Sequence, residues 1–236
     1  SLGHHCTKKI SSYLSFSPLK NQEQIKKTTT VLLWSYSQPE RGTVFIMAEN
    51  VTDEPVFGCF LEQVCSGESP RVPLVVQRCI KCIESSEENM KADGLYRASG
   101  NLSQVQKIRL QVDQNNLAVL DQEEDVHVLT GALKLFFREL KEPLIPHSRK
   151  EKLNCFREIT KALPTANHDT LKFLLQHLLR VTKYKEFNRM HIPNLAIVFG
   201  PTLMWPAQES ANMALDLMQQ NLVIECFLVE FEQIFR

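Results

Sequence analysis

From Pro55 onward, apolar residues recur at intervals of three and four, the spacing that puts them on one face of a helix. Val56 to Val64 is a short amphipathic run. After Pro73, which suits a first helical turn, Leu74, Val75, Cys79, Ile80, Cys82 and Ile83 follow at helical spacing. Beyond a break at GLYRASG, Asn101 or Ser103 can cap a helix carrying Val105, Ile108, Leu110 and Val112. Asp125 to Leu140 holds Val126, Leu129, Leu133, Phe136, Phe137 and Leu140 on one stripe, and KEPLIP ends it. Further helices are predicted over about 147–162, from Pro164 through Val181, and from about Ser210 through Phe231. HIPNLAIVFGPTLM (191–204) is apolar and is expected to break at Gly200-Pro201. The result is an all-α bundle of about eight or nine helices over residues 55–236, with no internal repeat.

Residues 1–54 do not follow this pattern. Thr28 to Tyr36 and Thr43 to Ala48 are rich in β-branched and aromatic residues and flank the turn residues Pro39 and Gly42, which predicts a β-hairpin over 28–48. A lone hairpin is marginal in water, so it is expected to dock through Trp34 and Phe45. The first 27 residues hold five lysines and one glutamate, and read as a basic linker, with membrane-surface or flanking-domain contacts as the alternative.

Composition narrows the function classes. The chain has 236 residues, 43% hydrophobic, with 27 basic and 27 acidic side chains. A net charge of zero argues against nucleic-acid binding as the main task. No apolar run approaches the roughly 18–20 residues that span a bilayer, and the start carries no signal-peptide core. Seven cysteines at irregular spacing fit a reducing, cytoplasmic setting. Cys79 and Cys82 form a CxxC, but a zinc site needs a second ligand pair at suitable spacing and none is found, so no metal is expected.

GLYRASG (94–100) sets Arg97 between Gly94 and Gly100. Structural arginines usually lie along helix faces with the stem packed; this one is presented on a tight loop. The glycines are expected to allow loop conformations closed to other residues, and Tyr96 to anchor the loop by packing. Asp93, just before, reads as a turn or cap carboxylate. On the Asp125–Leu140 helix, Lys134 and Arg138 project from one polar face, and Gly131 leaves that face flat for another surface to approach. Alone, such a pair is ordinary solvated decoration. Five histidines (127, 147, 168, 177 and 191) are scattered along the helical region, none of them in an HExxH pattern, and neither a GxSxG motif nor a P-loop occurs. A self-contained hydrolase is therefore not expected. The pattern suits a protein that lends a cation to another protein's active site.

Three stretches carry a family resemblance in order: ADGLYRASGN (92–101), DVHVLTGALKLFFRELKEPLIP (125–146) and NRMHIPNLAIVFGPTL (188–203). Over roughly residues 56–236 the chain resembles the Rho GTPase-activating (RhoGAP) domain, and its wording is similar to a subgroup that carries a preceding pleckstrin-homology domain. The resemblance implies a RhoGAP-like helical bundle. It implies an activator of Rho- and Rac-type GTPases in their GTP-bound state, without a cofactor of its own, since GTP and Mg²⁺ come with the partner. Arg97 matches the family's arginine finger. Lys134 matches a lysine that contacts the GTPase and supports the finger loop, Arg138 an arginine that braces loop and interface, and Asn194 an asparagine directed toward the GTPase switch region. Without a partner, Asn194 would be a polar residue of the first turn after Pro193. Lys141 stands where many members have proline, and LDQEED (120–125) lacks the tryptophan common in the subgroup. Two other classes remain: a module that holds the GTPase without accelerating it, and a membrane or nucleic-acid adaptor built on the basic leader.

Overall fold

The computed structural model describes residues 55–65, 67, 69–146, 156–206 and 212–235. The hairpin expected over 28–48 and the first part of the helix expected over 147–162 lie outside them. Among the described residues the chain forms eleven α-helices and no strand. They are α1 (Leu61–Val64), α2 (Leu74–Ile83), α3 (Glu87–Lys91), α4 (Leu102–Asp113), α5 (Val126–Glu139), α6 (Phe156–Lys161), α7 (Thr165–Thr182), α8 (Lys185–Asn188), α9 (Ile192–Leu203), α10 (Met213–Val229) and α11 (Phe231–Ile234). The surplus over the eight or nine expected consists of α3, α8 and α11, which have four or five residues each, too few for a 3.6-residue period to declare itself. No helix among the described residues is long and apolar enough to cross a membrane.

α5 organises the core. Asp125 caps it, its Oδ1 accepting from the His127 N–H at 2.8 Å. Val126, Val128, Leu129, Ala132, Leu133, Phe136 and Phe137 are buried against α2, α4 and α9. Asn101 caps α4 in the same manner, accepting from the N–H groups of Ser103 (2.9 Å) and Gln104 (3.2 Å). Gly131 serves this packing and not an outer surface: a Cβ there would lie 2.9 Å from Val105 Cγ2 of α4. Gly131 is half-buried and its missing side chain would point at α4, while Lys134 is half-buried and Arg138 exposed on the same helix. Lys141 donates its N–H to Cys59 O at 3.0 Å, a bond that a proline at this position could not make.

Two other expectations change. α9 does not break at Gly200-Pro201 but continues to Leu203 with Pro201 inside it. The bond that Pro201 removes would have gone to the carbonyl of Ile197, whose side chain is 59% exposed, so this turn is open to water. α10 turns Ile224, Phe227 and Leu228 inward and leaves Met213, Leu217 and Leu222 exposed. Apolar residues lie all round this helix, so periodicity alone could not choose its buried face. Leu74 and Leu110, expected in the core, are also exposed. The thiols of the CxxC sit in α2, where burial pushes Cys82 up to about 11 and Cys79 further, so both stay protonated.

A buried polar relay ties the segment after α3 to the core. The Tyr96 hydroxyl lies 2.5 Å from His177 Nε2 on α7. His177 Nδ1 lies 2.5 Å from Glu84 Oε1 at the end of α2, which also accepts from Arg180 Nε at 2.7 Å. A neutral imidazole protonated at Nδ1 satisfies both neighbours: it accepts from the phenol and donates to the carboxylate. Burial lowers the His177 pKa, with Glu84 opposing. Burial alone would raise the Glu84 pKa, but the hydrogen bonds from His177 and Arg180 outweigh it and hold it below the ordinary value.

This arrangement has a pH signature. The unfolded chain takes up a proton on this histidine at about pH 6.5, whereas the folded chain does so only at lower pH, so stability is lost as pH falls below about 6.5. An NMR titration of the His177 ring should give a midpoint below about 6.5; a midpoint at or above it contradicts the relay. A second expectation concerns Gly100, where a Cβ would lie 2.5 Å from backbone atoms of His127 and Val128. Backbone cannot give way as a side chain can, so Gly100→Ala should destabilise the fold by about 1–3 kcal/mol. Gly131→Ala should cost less, because helix propensity gains about 1 kcal/mol to offset the Val105 clash. Denaturant unfolding of both variants checks the order.

Candidate functional site

The segment between α3 and α4 turns on two residues with positive φ, Gly94 (66°) and Tyr96 (76°). Glycine adopts this region freely, whereas an aromatic residue there is held at a cost of about 1–3 kcal/mol. The surroundings of Tyr96 hold it there. Its ring is fully buried, edge-on to Phe199 with centroids 5.0 Å apart, and its hydroxyl enters the His177 relay. Its carbonyl accepts from Lys134 Nζ at 2.5 Å. Gly94 O accepts from the N–H groups of Arg97 (2.7 Å) and Ala98 (2.8 Å), and the Gly94 N–H donates to Asn188 O at 2.8 Å. With Tyr96 drawn into the core, the next side chain, Arg97, is 48% exposed.

Each residue singled out in the sequence has a definite place. Gly94 supplies the left-handed turn; Gly100 has another role, leaving room for the backbone at the start of α5. Lys134 reaches from α5 to the loop backbone. Burial, helped by the positive charge of Arg138, pulls its pKa down to about 8, so at neutral pH it remains mostly cationic. Arg138 Nε donates to Thr202 Oγ1 of α9 at 3.3 Å. Asn194, in the first turn of α9, donates from Nδ2 to Arg189 O at 2.9 Å. Lys134 is thus bonded directly to the Arg97 loop, whereas Asn194 reaches it only through Arg189, and Arg138 braces α5 against α9.

Several residues that matter here were not singled out for a role at the site. Asp93 is more than a turn carboxylate: Arg189 grips it with Nε and Nη2 on its two oxygens, and Arg97 Nη2 lies 3.9 Å away. The Arg189 guanidinium holds the Asp93 carboxyl below the usual range. Arg189 itself sits in the left-handed region (φ 58°) after α8. Asn188 is buried, donating to Met90 O (2.8 Å) and Val181 O (3.0 Å) and accepting from Met190 N (2.8 Å), so it fixes the residues on both sides of the Gly94 contact. Glu84, His177, Asn188 and Arg189 each hold a partner 81 residues or more away along the chain, and no local spacing marks those pairs.

Chemically, the site offers two exposed guanidinium groups: that of Arg189, engaged in a forked contact with Asp93, and that of Arg97, on a loop whose neighbours are fixed, with Lys134 of α5 bonded to the carbonyl before it. Among the described residues no group of histidine, cysteine and carboxylate side chains is arranged to hold a metal ion.

A profile of the RhoGAP domain matches residues 73–208. Rho GTPase-activating protein 27 from Rattus norvegicus is 46% identical over 197 residues, covering 77% of this chain and 22% of the relative. Rho GTPase-activating protein 15 from Mus musculus is 40% identical over 205 residues, covering 80% of this chain and 42% of the relative. The crystal structure of human Rho GTPase activating protein 15 superposes with a TM-score of 0.69 at 38% identity, covering 78% of this chain and 93% of that one. The chain therefore spans about a fifth to two fifths of the length of these curated relatives. With the profile covering more than half of the sequence, and with a helical fold shared with a solved relative, the chain belongs to the RhoGAP domain family.

Proposed function

We propose that this chain activates GTP hydrolysis by Rho-family small GTPases, Rho- and Rac-type, in their GTP-bound state, by inserting Arg97 into the partner's active site. The observation that carries this reading is the contrast within one loop: Tyr96 is buried, bonded and strained, and Arg97 beside it is exposed. In the hydrolytic transition state, charge develops on the phosphoryl oxygens and the leaving bridge oxygen. A guanidinium that meets this charge stabilises the transition state more than the ground state, and so accelerates the step. The GTP-bound state follows, because only that state has the γ-phosphoryl group on which the charge develops. GTP and Mg²⁺ are the partner's; this chain supplies the cation and holds its position.

The supporting residues divide the work. Lys134 fixes the carbonyl before Arg97, limiting how far the loop can drift. Arg138 bonds to Thr202, keeping α5 and α9 in register as two sides of one docking face. Asn194 donates inward to Arg189 O in the free protein, which leaves its Oδ1 to accept from the partner.

Single-turnover hydrolysis by a panel of purified Rho-family GTPases tests the proposal. The intact chain should accelerate at least one of them, and acceleration of none would overturn the reading. Arg97→Ala should lose about 10³-fold or more in rate while still docking, and Arg97→Lys should recover little of it, because lysine lacks the planar fork. A binding-only module would instead dock equally well with or without Arg97 and never change the rate. Lys134→Ala should remain folded and slow the reaction by about 10- to 100-fold, the cost of a loop displaced by about 1 Å. An unchanged rate in that variant removes Lys134 from the mechanism.

A further inference from the structure

Arg97 is exposed, but it is not extended. A Cβ on Gly94 would lie 3.4 Å from Arg97 Nη2 and 3.5 Å from its Nε, so the guanidinium is folded back over its own loop. Its acidic neighbour there is Asp93, at 3.9 Å, near the limit of an ion pair. The reason the pair is so loose is that Asp93 is already engaged by Arg189, which grips both oxygens through a forked contact. Arg189 comes from another part of the chain, 96 residues away, and its main chain is itself held: its N–H donates to Lys185 O at 2.9 Å and its carbonyl accepts from Asn194.

We infer that Arg189 is a positioning residue that acts through Asp93: by occupying this carboxylate it keeps Arg97 free to leave the loop for the partner's phosphates. The inference rests on the GTPase-activating reading above. Asp93 lies four residues before Arg97, with Oδ1 already 3.9 Å from Arg97 Nη2. Without Arg189 its strongest partner would be gone, and its charge would pair with Arg97 in the undocked state. Any interaction that Arg97 makes before docking and gives up in the transition state raises the barrier by its full worth. An unneutralised carboxylate beside the inserted finger would also repel the phosphoryl oxygens. Asn194 gains a further role: its bond to Arg189 O fixes the turn from which the Arg189 side chain departs.

The test is single-turnover GTP hydrolysis at saturating protein, on the intact chain, with a GTPase that the wild type accelerates. Arg189→Ala should lower the saturating rate by about two- to fivefold, the range expected from one exposed ion pair. Asp93→Asn combined with Arg189→Ala should recover most of that loss, because the competing charge is gone. Arg189→Lys, which keeps the charge but loses the fork, should fall between wild type and Arg189→Ala. Thermal midpoints of the variants separate folding from positioning: a structural role would leave the double variant as slow as Arg189→Ala, or slower. Two results overturn the inference: an Arg189→Ala rate equal to wild type, or a double variant no faster than Arg189→Ala. If wild type accelerates the GTPase and Arg97→Ala does not, either result removes only the role of Arg189 and leaves the finger in place. If wild type and Arg97→Ala act alike, the finger reading falls and this inference with it.

Discussion

The geometry of the site depends on the burial of Tyr96 at a positive φ. Successive side chains leave the backbone in different directions, so a residue locked inward sets where the next one points. Tyr96 is locked by ring packing on Phe199, by the hydroxyl bond to His177 and by the Lys134 bond to its carbonyl. None of these touches Arg97. Together they fix the peptide from which Arg97 leaves, and at a strained φ the chain would relax if they were lost. Arg97 is therefore positioned through its neighbour, and its own side chain takes no part in holding the loop peptide.

This explains why so much of the surrounding polar structure is buried and fully paired. Polar groups in a low-dielectric interior are costly when unpaired and rigid when satisfied. The Tyr96–His177–Glu84 relay satisfies each member and links α2, α7 and the loop. Asn188 does the same for α3, α7 and α8. The apolar core built on α5 supplies most of the stability, and these few bonds determine where the loop sits on it. α5 contributes to both, with its buried stripe facing α2, α4 and α9 and Lys134 reaching out to the loop.

The sequence carried the local features well. The caps at Asn101 and Asp125, the apolar stripe of α5 and the glycine-flanked arginine depend on residues within a few positions of one another. The features it concealed depend on residues far apart. Asp93 and Arg189 are 96 positions apart, and Tyr96 and His177 are 81. Gly131 was visible as a glycine, but its partner Val105 lies on another helix, so its role could be placed on the wrong side. The positive φ of Tyr96 gave no sign, because an aromatic residue is the opposite of what that conformation usually selects. The buried side of α10 was hidden for another reason: a helix apolar all round has no periodic signal to read.

The charges around Arg97 follow one logic. In the role proposed for it, Arg97 must be cationic, exposed and weakly held before docking, yet its loop must be rigid. Rigidity near an exposed cation tends to come from nearby acceptors, and a carboxylate is the acceptor most able to capture the cation. The structure separates the two requirements. Neutral acceptors hold the loop: the carbonyls of Gly94, Tyr96 and Asn188, and the imidazole of His177. Among the described residues, the carboxylate paired with Arg97 is that of Asp93, and it is taken up by a second arginine with better geometry. Lys134 adds a positive charge at the carbonyl before Arg97, and burial lowers its pKa to about 8, a cost that a negatively charged partner would relieve. In the free protein the positive charge of Arg138 adds to this cost. A partner bringing phosphate charge would meet a site whose electrostatic cost falls on docking, so that part of the attraction is stored in the free protein's own fold.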